Sequence, residues 1–311
     1  MPKPFLNYSG QLNKLINEKN LIIADKTQAE QCLRHIGYFS LISGYKDIFK
    51  NPSTKTYQDD VTFDEIVALY FFDETLREIF LKYLIRIERH LRSSISYYFT
   101  ELHGESQATY LDPANYNVTA KNMSDVTKLI SILSDFANCN THYAHLIHNR
   151  QHYNNVPLWV LVTCLTFGSL SKMYKFLPQT LQVKVSKDFA TSSPKELQQY
   201  LSVLTLFRNC CAHGERLFSK TIKEAIPDTP LHQKMGIPKK NNAYIQGKHD
   251  LFGVVIALRY LLPPDDFRKF KSALNNNIQH FLKRTTHVSE IQLLKMMGFP
   301  SNWKNITRYK M

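Results

Sequence analysis

The chain lacks the markers of several large protein classes. Its five cysteines (Cys32, Cys139, Cys164, Cys210 and Cys211) are an odd number without a C-x-x-C pair. That argues against a disulfide framework or a zinc ribbon and for structural thiols in a reducing compartment. No window of about 18 apolar residues occurs, so no membrane span is predicted. The longest apolar runs, such as Leu158–Leu165, have core-helix length. The opening residues MPKPFLNYSGQLNKLI carry no continuous apolar core and do not read as a secretory signal, so a cytoplasmic location is expected. Walker-type GxxxxGK[ST], GxGxxG and GxSxG motifs are missing. No segment alternates with period two between turns, and neither a fixed-period repeat nor a low-complexity tract occurs.

What is present is a basic chain built for helices. Its 311 residues suffice for one large domain or two small ones. The hydrophobic share of 43% and charged share of 21% are those of a folded protein. A net charge of +13 favours polyanionic partners, nucleic acid or an anionic surface, although a basic protein without such a partner has the same composition.

Helix punctuation organises the chain. A short amphipathic piece is expected around Leu12–Ile16. Thr27 and Glu30 read as a capping box, and Gly37 and Gly44 as helix breaks around YFSLISGYKDIF. Turn residues at 50–60 suggest a boundary between an N-terminal helical extension (1–56) and a main helical domain (57–311). Thr62 and Glu65 form a second box before a stretch free of Gly and Pro as far as His103. Its apolar spacing predicts one very long helix or two with a kink, ended by Gly104. Asp73/Arg77, Glu78/Lys82 and Glu88/Arg92 stand four apart with the acid first, the favourable order for surface pairs. Residues 105–122 read as loop, with helices at 123–137 and 140–152. Pro157 opens an apolar helix through Leu177, kinked or closely approached at Gly168. Ser193–Glu196 is a third box with Pro194 at the first helical position. Residues 226–248 read as a loop, followed by helices at 249–262 and 264–284 and a short one from Ser289. The fold class expected is all-α.

The helix opened by Ser193 concentrates chemistry at its far end. Leu197, Leu201, Leu204, Phe207 and Cys211 form an apolar stripe, followed by Arg208, Asn209 and His213, and Gly214 sits where a helix stops. The R-x4-H spacing is weak alone: with twelve arginines and twelve histidines, about one R-x4-6-H is expected by chance. Asn209 and His213 share a helical face and Arg208 lies about 100° away. Such residues can simply cap a helix C-terminus. They also suit phosphodiester cleavage: histidine moves protons near neutral pH and arginine holds growing phosphate charge. One histidine serves poorly as both base and acid, which a dimer would remedy. Glu88, beside Arg89 and Arg92, could orient an arginine in an RNA groove. A rival cluster, His142, His145, His148 and His152, has metal-compatible spacing but no nearby acid or cysteine. The loop 234–240, with Lys239 and Lys240, and the tract 268–271 can meet phosphates or simply be solvated.

RNCCAHGERLFS resembles the RN-x-x-AH-x-x-RLW-N signature of AbiD/AbiF-type abortive-infection proteins, phage-defence factors of the HEPN ribonuclease superfamily. CLRHIGYFSLISGY, FDETLREIFLKYLIRIERHLRSSI, PLWVLVTCLTFGSLSKMY and MGFPSNW resemble further blocks of that family in the same order, so the likeness spans residues 25 to 303. It implies a HEPN-type helical bundle with an N-terminal extension and a long central helix, acting as a homodimer and cleaving RNA without metal or other cofactor. Arg208 and His213 would carry the reaction, Asn209 would support them, and the products would end in a 2′,3′-cyclic phosphate and a 5′-hydroxyl. Arg216, Lys239, Lys240, Glu88 and Arg92 are the residues expected to line the RNA path. Cellular or phage RNA, often tRNA, is the implied target, and a small RNA or protein antitoxin the implied restraint. Gly214 replaces a second histidine of the signature, and Phe218–Ser219 its Trp–Asn. A module that grips a cognate small RNA without cutting it is the alternative.

Overall fold

Apolar residues recur at helical spacing through most of the chain, and the computed structural model, describing residues 4–139, 142–189 and 193–309, is an all-α bundle with one small hairpin. Helix α1 (Tyr8–Asn13) runs into a π-helical turn at Lys14–Glu18 and buries Leu12 and Leu15. Helix α2 (Lys26–Ile36) starts two residues earlier than the expected Thr27–Glu30 box. The Asp25 carboxylate accepts from the backbone N–H groups of Thr27 and Gln28 at 2.9 and 3.0 Å, which frees Glu30 to pair with Arg34 at 2.7 Å. Gly37, at φ +87°, ends the helix. Gly44 does not break the chain: at φ −71° it carries the π-helical turn Phe39–Ser43 on into a 3₁₀ turn at Lys46–Phe49.

Helix α3 (Phe63–His103) is a single helix of 41 residues. The Thr62–Glu65 box forms at its start, with both reciprocal bonds present, and Gly104 ends it at φ +83°. Ile22 stitches the N-terminal helices to this start through backbone bonds with Val61 and Phe63 at 3.0 and 2.8 Å. The stretch read as loop after α3 holds a short α4 (Gln107–Leu111) and a 3₁₀ turn at Pro113–Asn115, each capped by the side chain before it. Helix α5 is Met123–Asn138 and α6 is Ala144–Tyr153. The expected start of α6 at residue 140 lies outside the described residues.

The apolar stretch after Pro157 is two helices rather than one kinked helix. α7 (Leu158–Leu161) tightens into a 3₁₀ turn and stops, and Leu165 turns extended. Thr166 then caps a new helix, α8 (Phe167–Phe176), accepting from Ser169 N–H at 3.2 Å. The break falls at this cap and not at Gly168, where an added Cβ would lie 3.6 Å from Thr205 Cγ2, an ordinary contact. Helix α9 (Gln179–Asp188) went unforeseen in the sequence, and α10 (Pro194–Ala212) follows. Residues 226–248 are ordered around α11 (Pro230–Lys234) and a hairpin of β1 (Lys239–Lys240) and β2 (Ala243–Tyr244). Its turn residues Asn241 and Asn242 take positive φ of 50° and 61°, as the tight turn demands. α12 (Leu251–Leu261), α13 (Pro264–Leu282) and α14 (Glu290–Met297) follow, and then a 3₁₀ turn at Trp303–Thr307.

The core surrounds α3, against which α9, α10 and α13 pack. Phe80 and Tyr83 meet Phe270 edge-on at 5.1 and 5.3 Å, and Phe72 meets Phe281 at 5.1 Å. α12 is buried on nearly every side, which explains its unbroken apolar run. Trp303 closes the far end against Phe299 at 5.4 Å. Among the described residues no helix is long and apolar enough to cross a membrane.

The start of α3 is also tied to the C-terminal region. Glu65 accepts from Thr285 Oγ1 at 2.7 Å and Thr286 N–H at 2.9 Å, and lies 2.9 Å from His287 Nδ1. Burial alone would raise this carboxyl, but the bonds from His287, Thr285, Thr286 and Thr62 hold it at about 2. Because the folded value is depressed, the stabilisation is present above the ordinary glutamate range and is lost as pH falls towards 2. Glu65→Ala is therefore expected to lower stability at pH 7 by about 2–3 kcal/mol. Urea titrations between pH 2.5 and 7 should show that difference shrinking with acid. A pH-independent difference would show that the charge is not what stabilises this junction.

Candidate functional site

Local chemistry dictates α10 from end to end. Ser193 Oγ accepts from Glu196 N–H at 3.3 Å, and Glu196 Oε2 accepts from Ser193 N–H at 2.9 Å. Leu197, Leu201, Leu204, Phe207 and Cys211 are all buried, joined by Tyr200, Val203 and Cys210. The helix ends in a Schellman motif: Glu215 N–H reaches Cys210 O at 3.1 Å and Gly214 N–H reaches Cys211 O at 3.3 Å. Gly214 sits at φ +67°, which a side chain there would strain. Burial pushes the Cys210 thiol up to about 11 and raises Cys211 further. Neither is a ready thiolate, in keeping with a packing role.

The motif residues divide between two environments. Asn209 and His213 are exposed on one face of the helix end, as their spacing requires. Arg208 turns inward, its side chain 27% exposed, and its Nε donates to Glu88 Oε2 at 3.3 Å. Glu88 is buried on α3 and also takes a short bond from Arg92, one turn further on. Arg92 Nη2 donates in addition to Leu165 O at 2.8 Å, a carbonyl left open by the break between α7 and α8. Two helices thus meet at the Glu88 carboxylate, and Arg92 ties the α7–α8 junction to it. Among the described residues no hydrogen bond joins the side chains of Arg208, Asn209 and His213 to one another.

The segment after His213 is held by a second carboxylate of α3. Asp73 is fully buried and accepts from Leu217 N–H at 3.0 Å, Phe218 N–H at 2.7 Å, Tyr45 Oη at 2.7 Å and Arg77 Nη1 at 2.8 Å. Burial pushes this carboxyl up, and the donors pull against it. The pair Asp73–Arg77 was expected on the helix surface but lies inside, because the returning loop covers it. Among the described residues Glu78 and Lys82 form no such pair; Lys82 lies over the Tyr83 ring at 5.7 Å. Phe218, standing where the signature has tryptophan, is buried and stacks on Tyr45 at 5.9 Å.

Other sequence candidates lie elsewhere. Arg216 is exposed and donates to Gly44 O at 2.6 Å, bridging to the N-terminal helices. Lys239 and Lys240 are exposed on the hairpin, with Lys239 over the Tyr244 ring at 4.3 Å. In the histidine cluster, His142 precedes α6, and the rings of His148 and His152 meet at 4.1 Å, tilted by 30°. His145 Nε2 lies 3.1 Å from Thr163 Oγ1 and 3.3 Å from Cys164 Sγ. Cys164 is remote in sequence, so spacing could not have found it. Among the described residues no three His, Cys, Asp or Glu side chains are grouped to hold a metal. Asp73 and Arg77, whose four-residue spacing pointed only to a surface pair, and the Leu165 carbonyl, which carries no sequence signal, are the organising groups that the sequence did not reveal.

Fold and site together define an all-α protein that presents an arginine, an amide and an imidazole at the end of one buried helix. The sequence model of the Abi-like protein family matches residues 31–219, which takes in α2 from its second turn, the whole of α3 and the loop closing α10. The chain belongs to this family. No curated protein and no solved structure matches it.

Removing one partner from a buried ion pair costs about 3–5 kcal/mol, so Asp73→Ala should lose that much in denaturant unfolding. Lys220→Ala, which breaks a half-exposed pair with Glu215, should lose under about 1 kcal/mol. Equal small losses would deny Asp73 its anchoring role.

Proposed function

We propose that the protein is a metal-independent endoribonuclease of the HEPN type, acting in the cytoplasm in abortive-infection defence. Membership of the Abi-like family supports the defence role, and the net charge of +13 suits an RNA substrate. One observation carries the chemistry. Buried Glu88 holds Arg208 through Nε, which leaves the two terminal nitrogens for phosphate oxygens, beside an exposed face bearing His213 and Asn209.

In this reading the 2′-hydroxyl of a ribose attacks the adjacent phosphorus. His213 accepts the hydroxyl proton, and Arg208 balances charge building on the non-bridging oxygens. The bond from phosphorus to the 5′-oxygen breaks, and that oxygen takes a proton, leaving a 2′,3′-cyclic phosphate and a 5′-hydroxyl. Asn209, on the face of His213, orients the imidazole or the phosphate. His213 of a second copy supplies the departing proton, so the working form is a homodimer. Glu88 and Arg92 fix the direction of Arg208. The exposed cations Arg216, Lys239 and Lys240 extend the RNA path. Cellular or phage RNA, tRNA included, is the substrate class, and a small RNA or protein antitoxin restrains the activity.

Purified wild type should cleave RNA in EDTA and arrest growth when expressed. His213→Ala and Arg208→Ala should each lose about a hundredfold or more of the cleavage rate. Glu88→Gln, which keeps Arg208 but loosens its hold, should fall between. If both alanine variants cut and arrest like wild type, the reading is wrong. Tight RNA binding by wild type without cleavage would instead support a module that grips RNA without cutting it.

A further inference from the structure

Beyond Gly214 the end of α10 opens into a pocket of about 490 Å³, shared between the post-motif loop, α3 and the N-terminal helices. Its volume falls within the roughly 300–1,000 Å³ of small-ligand sites. His35, Phe39, Ser40, Tyr70, Gly214 and Arg216 are among its walls. Resting on the reading of Arg208 and His213 as an RNA site, we propose that this pocket takes an unpaired nucleobase of single-stranded RNA next to the scissile phosphate.

Phe39 lies on its rim with 82% of its surface exposed, a large aromatic face open to solvent. Exposed single apolar residues are ordinary, but this one borders a cavity together with Tyr70, whose ring meets Tyr45 edge-on at 5.6 Å. Aromatic faces flanking a slot are what an unstacked base needs. The π-helical turn Phe39–Ser43 supplies Phe39 and two lining hydroxyls, and such turns gather at functional sites. None of the lining residues is acidic. Arg216 commits Nη1 to Gly44 O and has further N–H groups for an adjacent phosphate.

Position links the pocket to the cleavage motif. Gly214, one wall, directly follows His213, and a side chain built there would meet nothing within 4 Å. Tyr45, another lining residue, is bonded to Asp73, the carboxylate that also holds Leu217 and Phe218. Pocket and motif loop therefore share one anchor. A base held here lies against Gly214, the residue after His213, with Arg216 on the same wall.

The test uses full-length His213→Ala protein, so that binding is read without cleavage, and a labelled single-stranded RNA of about 12 nucleotides followed by fluorescence anisotropy. Adding Phe39→Ala should weaken binding about tenfold, the usual effect of deleting a stacking ring, and Phe39→Trp should restore it. Scanning one abasic residue along the RNA should find a position that costs a similar factor in the parent and nothing in the Phe39→Ala protein. Unchanged binding by Phe39→Ala, a flat abasic scan, or no RNA binding by the parent each overturns the subsite. If the Phe39 and abasic effects hold while wild type fails to cleave RNA, the subsite stands and the catalytic reading of His213 falls. Cleavage by wild type with a flat scan does the reverse.

Discussion

The structure depends on a carboxylate that never meets water. Asp73, buried in the first third of α3, gathers the guanidinium of Arg77 one turn on, and a phenol and two backbone N–H groups from two distant stretches of chain. A buried charge without partners is costly, so each donor is held in place by what the charge would otherwise lose. The loop after His213 has no secondary structure of its own to define its path. Asp73 supplies that path, and through Tyr45 it joins the N-terminal helices to the motif.

The same device recurs along α3. Glu65 ties the start of the helix to the C-terminal residues 285–287, Asp73 the motif loop, and Glu88 the motif arginine. At about 1.5 Å per residue, Asp73 and Glu88 lie about 22 Å apart along one unbroken helix. The few buried acids of α3 thus set where other elements dock along it. Glu88 differs in one respect: its arginine partners keep part of their surface open. There the ion pair orients a group and does not simply close the core.

Much of this was legible because short-range rules suffice for it. The Thr62–Glu65 and Ser193–Glu196 boxes, the stripe on α10 and the stop at Gly214 are contacts within about four residues. Where the reading failed, a nearby competitor won. Asp25 displaced Thr27 as a cap, and Thr166 broke a helix that Gly168 was expected either to kink or to open to a close neighbour. α9 escaped because Pro178 and its short polar run carry little periodic signal.

The sequence by itself determined the all-α class, the long central helix and the placing of Asn209 and His213 on one helical face, since helical periodicity settles each of these locally. Only the tertiary structure decided that Asp73 is an anchor inside the protein and not a surface charge, and that Glu88 meets an arginine 120 residues away. Equal four-residue spacing describes Asp73–Arg77 and Glu78–Lys82 alike. What separates them is whether another element covers them, and burial comes from contacts that no local pattern encodes.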